Sequence, residues 1–201
     1  MAHAQSTTRS VLVERLLPGE GIAWEVARLL VANVLLALCA YIAVPLPWTP
    51  VPMTGQTFGV LLVAVLLGSR CATLVTSLYL LEGAAGLPVF QPFGLPGAAR
   101  LLGPTAGYLW AFPVAAFLTG WMAEQIGSFR TRSGMAQLIG AQAVGHAVIL
   151  AGGFLWLATV MGLGATRAVE QGVAPFALID VSVKIALVAA VVWGTEKVRH
   201  A

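Results

Sequence analysis

GAAGLPVFQPFGLPGAARLLGPTAGY, residues 83–108, decides how the rest of the chain is read. The stretch lies between strongly apolar segments, and Arg100 is its only charge. Prolines at 88, 92, 96 and 104 remove backbone donors and fix φ, and the interspersed glycines admit backbone shapes closed to other residues. A continuous helix through it is therefore not expected. A lipid-exposed loop is not expected either, because unpaired peptide groups in hydrocarbon cost several kcal/mol each. Two readings remain: an ordinary extramembrane loop, or an irregular segment that caps or re-enters a protein-lined cavity. The apolar content (Leu87, Val89, Phe90, Phe93, Leu95, Leu101, Leu102) favours the lid.

Working outward, composition places the chain in a bilayer. Of its 201 residues 59% are hydrophobic and only 9% charged, against about 25% charged in a soluble domain. That length suits five or six spanning helices with short loops. The net charge of +3 comes from scattered basic residues, which is no nucleic-acid signature. Cys39 and Cys71 have no neighbouring His or Cys and read as small apolar residues rather than a disulfide or metal site. Residues 1–22 lack the apolar core of a signal peptide and read as a cytoplasmic tail with a short amphipathic piece over 11–17. Residues 23–199 then form a single membrane domain.

Six spans are predicted. The first covers 25–46, with small residues at spacings of three and four that let helices approach closely. Four prolines over 45–57 end it, and Thr54 and Gln56 bring polar groups to the start of the next apolar run. Segments 58–68 and 71–81 are both shorter than the roughly 20 residues of a straight span. Such interrupted helices often line a binding cavity; alternatively, each extends into its flanks. The fourth span is 106–124, kinked at Pro113, with Gly107, Ala111 and Ala115 on one face. The fifth, 135–161, is rich in glycine; a short loop with Arg167 and Glu170 leads to Pro175 and a last span ending near 198.

An even count puts both termini with Arg70, Arg130 and Arg132 on one side. That side also collects Arg9, Arg15, Lys197 and Arg199, with Arg28 at the start of the first span, and leaves Arg100 and Arg167 opposite. The positive-inside rule makes the basic side cytoplasmic, N-in and C-in. The fold class is thus an all-α integral membrane protein of six helices, with helices two and three short or broken and a lid-like outer loop.

Asp180, the only aspartate, precedes Lys184 by four residues in the last span. The spacing puts both on one helix face, acid before base. Ionisable groups inside the apolar layer point to a functional site facing the protein interior; the alternatives are a self-neutralising structural pair or a snorkelling Lys184. Arg100 can hold a ligand carboxylate bidentately, or be an exposed loop arginine. Glu82 reads as a local cap or salt bridge, and His146 as a buried histidine bonded to a neighbour. Tyr79, Tyr108 and Trp110 read as interfacial anchors, with Tyr108 also placed to line the cavity. No P-loop, G-x-S-x-G or H-E-x-x-H motif occurs.

The motifs VPMTGQT (51–57), LLG (66–68), YLLEGAAGLPVF (79–90), GPTAGYL (103–109) and PFALIDVSVK (175–184) resemble, in this order, the BioY family. Its members are the biotin-specific substrate-binding (S) components of energy-coupling-factor (ECF) transporters. The resemblance, over about 35–190, implies six membrane helices binding biotin near the outer face, beneath the loop between helices one and two. It implies partners as well: a transmembrane coupling subunit and two cytoplasmic ATPases, which use the ATP, with toppling in the membrane to release biotin. No cofactor is expected beyond biotin as transported ligand. Family ligand contacts carry over to Asp180 and Lys184, and Arg100 and Gln91 fall in the lid where the family has polar contacts. With Gln56 and Tyr108 they complete the expected site. An S component for another vitamin is the nearest alternative. A membrane enzyme using Asp180, Glu82 and His146 as an acid/base set is a second class; it lacks a recognisable nucleophile or metal spacing.

Overall fold

The computed structural model describes residues 21–198, which are mostly helical. The expected tail up to residue 20, with its amphipathic piece, lies outside the described residues, as do Arg9, Arg15 and Arg199. In chain order the elements are α1 (Ile22–Tyr41), β1 (Ala43–Val44), β2 (Met53–Thr54), α2 (Gln56–Ala84), a 3₁₀ segment (Gly97–Leu102) and α3 (Ala106–Glu124). They continue with α4 (Arg132–Leu155), a π-helical turn (Trp156–Val160), α5 (Gly164–Gly172), α6 (Ala174–Ala177) and α7 (Ile179–Val198). Five helical stretches among the described residues are long and apolar enough to cross a membrane; one comprises α2, and another runs through α5, α6 and α7 to Thr195.

Several boundaries differ from the sequence reading. The first helix stops at Tyr41, not 46, because the proline-rich connection forms an antiparallel hairpin pairing Ala43 with Thr54 and Val44 with Met53. Residues around Arg167 and Glu170 form the helix α5 rather than a loop. The last stretch is not continuous from Pro175: the helix is interrupted at Leu178, whose backbone (φ −102°, ψ −73°) is distorted within the right-handed region, and α7 starts afresh at Ile179. Cys39 is buried as expected of a small apolar residue, but Cys71 is exposed.

Within α2, Gly68 adopts φ 77°, ψ 178°, a conformation that is essentially reserved for glycine. The chain reverses there. Gln56 and Tyr79 would lie about 35 Å apart along a straight helix, yet Gln56 Nε2 is 2.6 Å from the Tyr79 hydroxyl. The two halves, 56–67 and 69–84, are thus about 18 and 24 Å long at 1.5 Å per residue and lie side by side. The second half restarts on a cap from another helix: Glu124 Oε1 accepts from the Ser69 backbone N–H at 2.6 Å and from its hydroxyl at 2.9 Å.

Small residues set the helix approaches. A Cβ added at Gly107 of α3 would sit 2.3 Å from the Gly152 carbonyl of α4, and one at Gly152 would sit 2.7 Å from the Ala111 Cβ. Backbone-to-backbone contact of this kind is how membrane helices gain dispersion energy without a hydrophobic driving force. Pro113 is accommodated inside α3, which continues to Glu124. One apolar core joins Leu36, Val60, Leu61, Tyr79, Phe112 and Ile149, and a second joins Leu62, Val65, Ile126, Phe129, Val188 and Val192.

Two ends of the bundle can be told apart. The Ser69–Glu124 contact and the second core gather Arg70, the Arg130–Arg132 turn and the late part of α7 at one end. The hairpin, the 83–108 segment and α5 gather at the other, where the Thr49 hydroxyl donates to the Gln171 carbonyl at 2.6 Å. Arg100 and Arg167 belong to this second end.

Candidate functional site

The break at Leu178 places Asp180 in the first turn of α7, where the helix dipole favours a carboxylate. One turn later, Lys184 Nζ donates to Asp180 Oδ2 at 2.6 Å, and both side chains are buried. They face a cavity roofed by the hairpin and the lid. Its apolar wall includes Leu109, Phe112, Ile149, Leu150 and Phe176; its polar lining is Thr54, Gln56, Thr57, Gln91, Thr105, Tyr108, His146, Asp180 and Lys184.

Five of the six expected site residues are therefore brought together, and their free valences differ. Gln56 is partly engaged by the protein: its Oε1 accepts from the Thr54 hydroxyl at 3.1 Å and its Nε2 donates to the Tyr79 hydroxyl at 2.6 Å, which leaves one N–H and one lone pair. The Tyr108 hydroxyl donates to the Gly172 carbonyl at 2.7 Å, which leaves its ring to the cavity. Gln91 Oε1 accepts from the Phe93 N–H at 2.8 Å. Asp180 and Lys184 retain lone pairs and N–H groups beyond their mutual bond.

Arg100 stands apart from this cavity. It is neither exposed nor in contact with Asp180 or Lys184; it lines an adjoining space between the hairpin and the lid, shared with Pro50, Phe93 and Thr105. Its guanidinium donates to the Phe93 carbonyl and, at 3.0 Å, to the Gln91 carbonyl, and so staples the lid to itself. Burial lowers its pKa from the ordinary value while Tyr79 opposes the shift; arginine stays charged regardless. Gln91, Pro52 and Thr105 border both spaces.

The anchor reading fails for Tyr79 and Tyr108, both buried, whereas Trp110 is half exposed. Glu82 has no side-chain ion pair or cap among the described residues and does not line the cavity. The acid/base set of Asp180, Glu82 and His146 is thus not assembled.

The sequence reading missed two groups, on Thr57 and Thr105, and gave a third, on His146, no ligand role. Thr57 Oγ1, Thr105 Oγ1 and His146 Nε2 are buried without a hydrogen-bond partner, and all three residues line the cavity. The threonines sit inside the TGQT and GPTAGYL motifs, which was the available signal. His146 makes the expected local bond, Nδ1 to the Gln142 carbonyl at 3.0 Å, but its second nitrogen is left over. Chemically, the cavity offers one carboxylate, one ammonium, an imidazole nitrogen and two hydroxyls inside apolar walls. Such a site suits a compact ligand with an apolar body and a small head of alternating donors and acceptors.

The BioY family model matches residues 8–201. The biotin transporter BioY of Rhizobium etli is 38% identical over 143 residues, 69% of this chain and 75% of the relative. The biotin transporter BioY of Thermotoga maritima is 47% identical over 95 residues, 47% of this chain and 54% of the relative. The probable biotin transporter BioY of Pyrococcus horikoshii is 38% identical over 132 residues, 66% and 73% of the two chains. Among solved structures, the S-component for biotin from an ECF-type ABC transporter superposes with a TM-score of 0.76. The match covers 89% of this chain and 95% of that one at 22% identity, a likeness of fold.

Proposed function

This chain belongs to the BioY family, and from that premise we propose that it captures biotin as the substrate-binding component of an ECF-type transporter. The observation that carries the reading is the buried Asp180–Lys184 pair inside an apolar-walled cavity at the lid end of the bundle. Biotin has a polar cyclic urea, an apolar thioether ring and chain, and a carboxylate. The pair offers an acceptor and a donor to the urea, Phe112, Ile149 and Phe176 offer surface to the rings and chain, and Gln91 and Thr105 stand on the border toward the outer space. A transport role, not catalysis, fits both the relatives' names and the unassembled acid/base set.

The membrane arrangement belongs to the same proposal. Counting α2 as two crossings that reverse at Gly68 gives six spans. The gathering of Arg70, Arg130 and Arg132 at the end opposite the lid supports a cytoplasmic position for that end, with N-in and C-in topology in the cell membrane. The partners would be a transmembrane coupling subunit and two ATPases, because the chain has no nucleotide-binding loop of its own.

Equilibrium binding of labelled biotin to the purified chain in detergent tests the reading, with wild type compared against Lys184→Ala. Binding that the substitution abolishes is the expected result. A folded wild type that ignores biotin overturns the assignment, and a vitamin panel then reads the alternative.

A further inference from the structure

The Asp180–Lys184 pair does not account for every polar group in the cavity. His146 lies on α4, is 3% exposed, and lines the same space as the pair on α7. Its ring orientation is held by the Gln142 carbonyl, 3.0 Å from Nδ1. A carbonyl can only accept, so Nδ1 carries the proton in this bond. In the neutral imidazole Nε2 then presents a lone pair, and it has no protein partner. A buried acceptor left unsatisfied costs roughly 1–3 kcal/mol, a deficit that a ligand donor in the cavity would remove. No second histidine lines the cavity and no cluster of His, Cys, Asp or Glu among the described residues can hold a metal. The missing partner is a hydrogen-bond donor.

We propose that His146 is a ligand-contacting, specificity-determining residue whose Nε2 accepts a hydrogen bond from one N–H of the ligand's cyclic urea. The inference rests on the biotin reading and extends it. A cyclic urea presents donor, acceptor, donor along one edge. Around the cavity the protein presents acceptor, donor, acceptor: the Asp180 carboxylate, the Lys184 ammonium and the His146 imidazole. Lys184 donates to the urea carbonyl, and Asp180 and His146 each accept from one of the flanking N–H groups. Two acceptors on different helices read both N–H groups, so a ligand lacking either would leave a buried acceptor unpaired. That mismatch is the origin of strong rejection.

The test compares binding of biotin and of its two ureido N-methyl isomers to wild type, His146→Leu and His146→Gln, with folding followed by size exclusion and thermal melting in detergent. Wild type is expected to reject both isomers by at least about tenfold. In His146→Leu, biotin binding weakens by about tenfold, rejection of one isomer falls to within about threefold, and rejection of the other persists. His146→Gln, which keeps an acceptor oxygen, recovers part of the biotin affinity. Unchanged biotin affinity in His146→Leu overturns the proposal, as does an equal loss for biotin and both isomers, which marks a structural role. Should His146→Leu not fold, the isomer ratio of His146→Gln decides: a changed ratio supports the contact and an unchanged one overturns it. A folded wild type without biotin affinity instead removes the reading beneath the proposal, so the two failures are told apart.

Discussion

Gln56 and Tyr79 are joined by a 2.6 Å hydrogen bond between two helix segments that run side by side only because the chain reverses at Gly68. Tyr79 passes the bond on, its hydroxyl lying 3.0 Å from the Val89 carbonyl, and its ring meets Phe90 edge-on at 5.3 Å. A single phenol thereby links the start of α2, the end of α2 and the first turn of the lid. The Gln56 side chain, expected at the ligand, lines the cavity and is also the inner end of this support.

Tyr79→Phe keeps the ring contact and strands Gln56 Nε2 in a buried position. The expected loss is about 1–3 kcal/mol of stability, read as a lower melting temperature in detergent. An unchanged melting temperature would show that Gln56 finds another partner.

Removing one member of the Asp180–Lys184 pair leaves the other charge buried. Lys184→Met alone is expected to cost about 3–5 kcal/mol, and Asp180→Asn with Lys184→Met to restore most of it, while neither variant binds biotin. A double variant no more stable than the single would argue that the pair is already well solvated.

Arg100 acts on the lid rather than on the pair. Arg100→Lys cannot reach the Phe93 and Gln91 carbonyls together as a planar guanidinium does. Amides over 91–95 should exchange with solvent about tenfold faster or more, given that hydrogen bonds to a charged group contribute roughly 1.5–3 kcal/mol. Labelled biotin should also dissociate sooner. Exchange at the wild-type rate would separate Arg100 from lid closure.

Two helical glycines make opposite predictions. A Cβ at Gly120 would lie 2.5 Å from the Ser69 backbone nitrogen, whereas one at Gly140 meets nothing within 4 Å. Gly120→Ala should cost about 1–3 kcal/mol by forcing α3 off the restart of α2, and Gly140→Ala should gain up to about 1 kcal/mol from helix propensity. Equal melting temperatures for the two variants would refute this packing.

Much of the bundle was legible because its signals are local. The span 106–124 coincides with α3, since a long apolar run between a Gly-Pro-Thr entry and a polar exit has one way to be helical. The breaks at 45–57 and in the lid follow from proline and glycine. Hidden from the sequence were the helix around Arg167, whose alternating polar residues gave no apolar run, and the interruption at Leu178, where no glycine or proline stands.

The sequence by itself determined the bilayer environment, the order of apolar segments, the acid–lysine pair and the family, because hydropathy, chain-breaking residues, i,i+4 spacing and linear motifs are properties of neighbouring residues. Only the tertiary structure decided which polar groups share the cavity. Gln56 was partly engaged by Tyr79, Arg100 by lid carbonyls, and His146 was brought from α4 to the pair on α7 with one nitrogen unspent. A side chain's remaining hydrogen-bonding capacity depends on partners tens of residues away, and packing alone supplies or withholds them.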